Sequence, residues 1–363
     1  MVNSAVESSL ALSPDSFSTH NVLHVESYSP WAPACIGPYS QAHEVLGVDH
    51  MAGQIALVPT SMVLQTTSTP PNSDAHIFDR TLAELRLALI HVYSLVKSRC
   101  SVPNGISKTS MAPHLLFSSM YTSVPISIAI QCIQKLEQEG TDLEKEAVEL
   151  ILKRRGATIL KVDQLPRLAA VEIQTVVDYP DSPMYNPENS NLVVHNAEGI
   201  EKGLIKEGIK LTSIAMKHPS LNDSMTLEIR KTVSRSRSFA HVQAIIHGSK
   251  SVKWSGKDLV KECVSSTLFP FILTSLGLSS PSSDLPPSLL SAELFYPIDI
   301  EPSNANSIMY GLRESVLSTN IDFTPCAVLE LSSYGWASVL DPQDTECKAI
   351  LHAKFALTLE IDD

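Results

Sequence analysis

The stretch Ile36-Gly37-Pro38-Tyr39-Ser40-Gln41-Ala42 is followed by a second glycine-containing segment, Ala52-Gly53-Gln54-Ile55. Between and around them, His43 to Val58 reads as two short strands flanking the turn-like Gly47-Val48-Asp49-His50. In both segments the glycines, Gly37 and Gly53, suit backbone geometry that other residues resist.

Working outward, residues 59–74 carry Thr/Ser runs and the Pro70-Pro71-Asn72 break, and read as a loop. A helix then starts with Asp74 at the N-cap position. Phe78, Leu82, Leu85, Leu89, Val92 and Val96 form a stripe at helical spacing, which a sheet would bury. His91 reads as a flank or solvent residue of this helix. Leu115 to Tyr121 reads as a strand. Ile126 to Arg155 reads as a broken helix in which Gly140 closes one piece and Thr141 caps the next. Strands are expected over Ala157 to Val162 and Ala169 to Val177, joined through Gln164-Leu165-Pro166-Arg167. The order is β-β-α-β-α-β-β.

Asp178 to 191 is polar, proline-rich and aperiodic, and reads as a linker. The second half then repeats the order: a strand from Phe239 to His247, a helix from Lys257 to Leu276 broken by Pro270, and a strand from Leu289 to Tyr296. A helix from Asn306 to Leu317 and strands at Ala327 to Leu331 and Ala349 to Leu359 complete it. The expected division is a flexible segment over 1–27, a first domain over 28–178, a connecting segment over 179–229 and a divergent second domain over 230–363.

Bulk properties fit this picture. With 363 residues, two cores are the natural expectation. A net charge of -12 argues against nucleic acid or an acidic membrane as partner, because both require clustered Lys/Arg. The short basic runs Lys153-Arg154-Arg155 and Arg235-Ser236-Arg237 read as solvated element ends. Six cysteines without a C-x-x-C pair exclude a zinc ribbon or a disulfide scaffold and read as ordinary thiols. Met1-Val2-Asn3-Ser4 has no signal-peptide character, and no apolar run is long enough to span a membrane, so a cytoplasmic location is expected. No metal site and no cofactor is expected.

The segments at 36–42 and 52–55 resemble the opening of YjgF/RidA proteins, and Leu165-Pro166 followed by Val171-Glu172-Ile173 resembles that family's closing strand. The resemblance covers residues 28–178; for 230–360 it rests on element order. It implies an α+β class with two chorismate-mutase-like domains, each a sheet with two helices packed on one face. It also implies self-association in trimer-like rings, with ligand pockets between subunits.

In the family's deaminases an arginine grips a substrate carboxylate bidentately. A glutamate helps position the attacking water, and a tyrosine walls the pocket. Carried onto this chain, the tyrosine is Tyr39, the pocket glycine Gly53 and the catalytic glutamate Glu172. Ala52 stands where a serine is usual. The arginine position falls on Ala157, and in the second half on Ala327, so the carboxylate grip is absent from both. Arg154 or Arg155 reaches the site only if the strand register slips, and an odd slip turns the side chain to the other face. From residues alone, Tyr39 reads equally as a packing partner of Pro38, and Glu172 as a half-buried carboxylate at a seam.

The tandem arrangement, with Trp31 to Gln41 and His50 to Ile55, also resembles the C-terminal half of fungal and plant diphthine–ammonia ligases. No S-G-G-K-D-S-type phosphate loop of an ATP-pyrophosphatase domain occurs, so the ATP-dependent ligase step is not expected from this chain alone. The resemblance implies a ligand-binding or assembly module in diphthamide biosynthesis, with a small-molecule ligand and a translation elongation factor as the ligase substrate. The alternative is a RidA-type imine or enamine deaminase that releases ammonia by hydrolysis. A ribonuclease, the older endoribonuclease L-PSP label, is disfavoured by the net charge and by the lack of paired histidines.

Overall fold

In the computed structural model the described residues are 21–25, 29–45, 48–65, 74–100, 113–153, 156–178, 202–206, 209–216, 225–233, 239–248, 289–297, 323–334 and 348–358. The expected linker at 178–191 past Asp178 and the expected helices at 257–276 and 306–317 lie outside them.

The first half builds a mixed sheet from β1 (Asn21–Leu23), β2 (Ala42–Val45), β3 (Val48–Met51), β6 (His114–Thr122), β7 (Ala157–Lys161) and β8 (Val171–Asp178). Val48-Asp49-His50, expected as part of a turn, thus lies within a strand. A two-stranded ribbon, β4 (Leu57–Val58) with β5 (Val63–Leu64), occupies part of the expected loop.

Helix α1 (Asp74–Cys100) buries the expected stripe: Leu85, Leu89, Val92 and Val96 are all inaccessible, with Phe78 and Leu82 packed at the margin. Helix α2 (Ile126–Glu139) ends at Gly140, where any side chain would strike the carbonyl oxygen of Leu136. Helix α3 (Asp142–Val148) opens on a reciprocal capping box between Thr141 and Glu144, and continues into a π turn at Glu149–Lys153. One apolar core joins these helices to Met51, Leu115, Met120, Ala157, Ile159, Val171, Ile173 and Val177 of the sheet. Strands facing helices on one side explain the alternation along β8.

The last turn of α1 is fastened to the β2–β3 pair by charge. Arg99 donates through Nε and Nη2 to both oxygens of Asp49 at 2.7 and 2.9 Å, and through Nη2 to Glu44 at 2.8 Å. Asp49 is 0% exposed. Burial holds its carboxyl above the usual range, against the lowering effect of Arg99.

A second sheet has the order β14-β13-β16-β12-β11-β10-β9, from β9 (Lys202–Lys206), β10 (Ile209–Met216), β11 (Met225–Val233), β12 (Phe239–Gly248), β13 (Leu289–Pro297), β14 (Phe323–Val328) and β16 (Lys348–Thr358). Three of these strands fall at 202–233, most of it read from sequence as connecting segment. The two sheets share a pattern. In the first, β6 runs parallel to β7 and antiparallel to β8, which pairs with β3. In the second, β13 runs parallel to β14 and antiparallel to β16, which pairs with β12.

Ala327 to Leu331, expected as one strand, divides at Leu329. Beyond it β15 (Glu330–Tyr334) leaves the second sheet and pairs antiparallel with β7 of the first. Glu330 lies 3.7 Å from Lys161 and accepts from the backbone of Ile126 at the start of α2. Phe117 of β6 stacks on the buried His241 of β12 with ring centroids 4.5 Å apart.

Candidate functional site

The loop at 29–41 is shaped by the glutamine of its motif. Gln41 is buried; its Nε2 donates to the carbonyl of Pro33, and its Oε1 accepts from the backbone N–H of Val25 at 2.7 Å. Its own carbonyl accepts from Ala52 N–H at 2.9 Å, which ties the first motif to the second. Tyr39 N–H donates to the Gly37 carbonyl in a three-residue turn, and a Cβ at Gly37 would lie 3.0 Å from the Tyr39 ring. Gly37 is the floor on which that ring lies, and Tyr39 stays 41% exposed. Sequence reasoning passed over Gln41, although a buried amide inside a turn-rich motif is the usual way such a loop satisfies its backbone.

Gly53 meets Glu172 by a similar close approach. Gln54 pairs with Ile173 through two backbone hydrogen bonds, 2.8 and 3.0 Å long. That bridge lays the neighbouring side chain of Glu172 across Gly53, where a Cβ would come 1.8 Å from Oε1 and 2.9 Å from Cγ of the glutamate. Gly53 is therefore required by the carboxylate lying on it, beyond any backbone preference. Tyr39 and Gly53 line one small recess, open to solvent, together with Pro33, Cys35, Ile36 and Ile55, and Glu172 lies beside it across Gly53.

The recess is acidic in its chemistry. Burial raises the Glu172 carboxyl above its ordinary 4.5. Burial also raises the Tyr39 hydroxyl, reinforced by Cys35 and Glu172, and it raises the Cys35 thiol. His91 sits behind the lining. Contrary to the reading as a flank residue, it is 1% exposed, its Nδ1 is 3.4 Å from the Ile55 carbonyl, and burial lowers it to about 4, so it is neutral at pH 7.

Ala157 is not part of this recess. Register decides it: Glu172 on β8 is opposite Tyr121 on β6, which is opposite Leu160 on β7. These share one face, so Ala157 and Ile159 point to the other face, where both belong to the helix-side core. The expected lining role of Ala157 is corrected to a core role. Ala327 pairs with Tyr296 in the second sheet. Arg154 and Arg155 lie outside the described residues. Among the described residues no group of three or more His, Cys, Asp or Glu is placed to hold a metal ion, and no helix is long and apolar enough to cross a membrane.

On the Glu172 face, Ser119 and Thr158 stand opposite one another; both are fully buried and neither hydroxyl has a hydrogen-bond partner. Removing one unpaired hydroxyl in place is expected to help. Thr158→Val should stabilise the chain by about 1 kcal/mol, read as a higher urea midpoint; a lower midpoint would mean that the hydroxyl is satisfied.

Comparison with known proteins finds partial likenesses. No family model matches the chain. It is 32% identical over 173 residues to the diphthine–ammonia ligase of Schizosaccharomyces pombe, a match covering 48% of this chain and 23% of that protein. Half of the chain resembles part of diphthine–ammonia ligase. The Saccharomyces cerevisiae diphthine–ammonia ligase is 30% identical over 171 residues, covering 44% of this chain and 22% of that one. The matched region thus spans less than a quarter of either ligase. Among solved structures, a Rid-family protein of unknown function from Yersinia pestis, YyfA, is similar at 18% identity and a TM-score of 0.29, covering 44% of this chain and 99% of that one.

Proposed function

We propose that this chain is a ligand-binding and assembly module of a diphthine–ammonia ligase-type protein, built from two YjgF/RidA-like domains and serving diphthamide biosynthesis. The similarity to two fungal ligases supports the setting. The repeated strand order supports the tandem, with the first unit over 28–178 and the second beginning with β9, earlier than residue 230. Self-association, a small-molecule ligand and a translation elongation factor as the ligase substrate belong to the same proposal. The ATP-dependent step is not assigned to this chain, whose sequence contains no phosphate-loop motif.

The observation that carries the module reading is the placing of Ala157. The position where a deaminase would hold its carboxylate-gripping arginine is a fully buried alanine facing the helices. A carboxylate brought beside Tyr39 and Glu172 would meet another carboxylate and, among the described residues, no lining cation, an arrangement that burial penalises. In a coupled assay with 2-aminoacrylate the chain is expected to give no turnover above background. Turnover that Glu172→Ala abolishes would overturn the module reading. It would establish the second one, an imine or enamine deaminase, which Glu172 beside Tyr39 favours because a raised carboxyl suits general acid–base work near neutral pH.

A further inference from the structure

We infer that the second half of the chain sets the form of the recess in the first half, through one row of side chains that runs from Leu331 to Glu172. This rests on reading the recess at Tyr39 and Gly53 as a ligand site, and it makes Leu331 a positioning residue for that site.

The row follows from strand register. Leu331 on β15 is opposite Leu160 on β7, Leu160 is opposite Tyr121 on β6, and Tyr121 is opposite Glu172 on β8. Directly paired residues share a sheet face and lie within contact reach, so the four form one line. Three strand spacings of about 4.8 Å put its ends roughly 14 Å apart. The end in the second half is firmly seated. Leu331 and Val328 are buried in one cluster with Leu160. The backbone N–H of Leu329 donates to the Lys161 carbonyl at 2.7 Å. Glu330, next to Leu331 and so on the opposite face, reaches Lys161 and the backbone of Ile126 at the start of α2.

Tyr121 and Val162 join this seam to the recess. Both pack against the Leu160–Val328–Leu331 cluster, and both pack against a second cluster of Ile55, Leu57, Leu165 and Ala169. Ile55 and Leu57 line the recess. Interiors are close-packed, so a void opened at Leu331 is felt by the side chains next in the row. Among the described residues, the ionisable groups facing Glu172 are Tyr121, in register, and Tyr39, whose hydroxyl feels its charge. Burial raises the Glu172 carboxyl, so its titration reports how well that end of the row is closed from water.

The test follows the carbon-13 shift of the Glu172 carboxyl against pH in the full chain and in two variants, Leu331→Ala and Leu136→Ala. Leu136 is a similarly buried leucine of α2, in the core on the other face of the sheet. Leu331→Ala is expected to lower the Glu172 midpoint toward its ordinary value by at least about 0.3 pH unit, roughly a twofold fall in proton affinity, because water gains access past Tyr121. Leu136→Ala loses stability as well but leaves the midpoint where it is. The milder pair Leu331→Val and Leu136→Val carries the same comparison, with a smaller shift of the same sign, should an alanine variant not fold. An unmoved midpoint on change of Leu331, or an equal shift on change of Leu136, would overturn the proposal while leaving the recess as a site. A midpoint at or below 4.5 in the unaltered chain would contradict both, since no desolvated carboxylate would then stand at the end of the row.

Discussion

Replacing Arg99 with alanine is expected to destabilise the chain by about 3–5 kcal/mol, the cost of leaving a buried carboxylate without its partner. Asp49 is inaccessible to solvent, and Arg99 supplies a two-point contact to it while also reaching Glu44. Loss of the guanidinium strands Asp49 between β2 and the end of α1. The penalty carries a pH signature. Burial already holds the Asp49 carboxyl above its usual range, and without Arg99 it rises further. The variant's deficit should therefore be largest near neutral pH and shrink as pH falls and Asp49 takes up a proton, which removes the charge that needed a partner. Urea unfolding at several pH values measures this. A deficit under about 1 kcal/mol at pH 7, or one that grows on acidification, would contradict the role given to the pair. Arg99→Lys keeps the charge but loses the planar fork, and should fall between the two.

The second large effect is expected at Gly53. A methyl group there would overlap Oε1 of Glu172, with Cγ also too close, so the glutamate must leave its seat. Gly53→Ala is expected to cost about 1–3 kcal/mol, as overpacking does, and to move Glu172 out of the recess. Because the conflict is between two side-chain sites, Glu172→Ala in the Gly53→Ala background should recover much of the loss. A double-mutant cycle then gives a coupling of at least about 1 kcal/mol. Additive effects would show that the two residues do not touch.

These two contacts mark the boundary of what the sequence makes legible. The motif at 36–42 locates the recess, because its turn residues act locally and Tyr39 lies on Gly37 two residues away. The α1 stripe, the Gly140–Thr141 break and the β6 strand are equally local, set by helical spacing and capping chemistry. Glu172 on Gly53 and Arg99 on Asp49 join distant segments, and no short-range pattern marks them. The face of Ala157 depends on the β6–β7 register, in which a single-residue difference exchanges the core for the recess side. His91 reads as a flank residue because no i+4 partner marks it; its burial comes from the segment carrying Ile55, which packs over the helix. The strand at 330–334 reads as a continuation of its predecessor, since a change of sheet at Leu329 leaves the alternation intact.

The most direct measurement is the titration of Glu172 itself, followed by the carbon-13 shift of its carboxyl in the full chain. The expected midpoint lies above the ordinary 4.5, because burial disfavours the ionised form. A midpoint at or below 4.5 would contradict a desolvated Glu172 seated across Gly53.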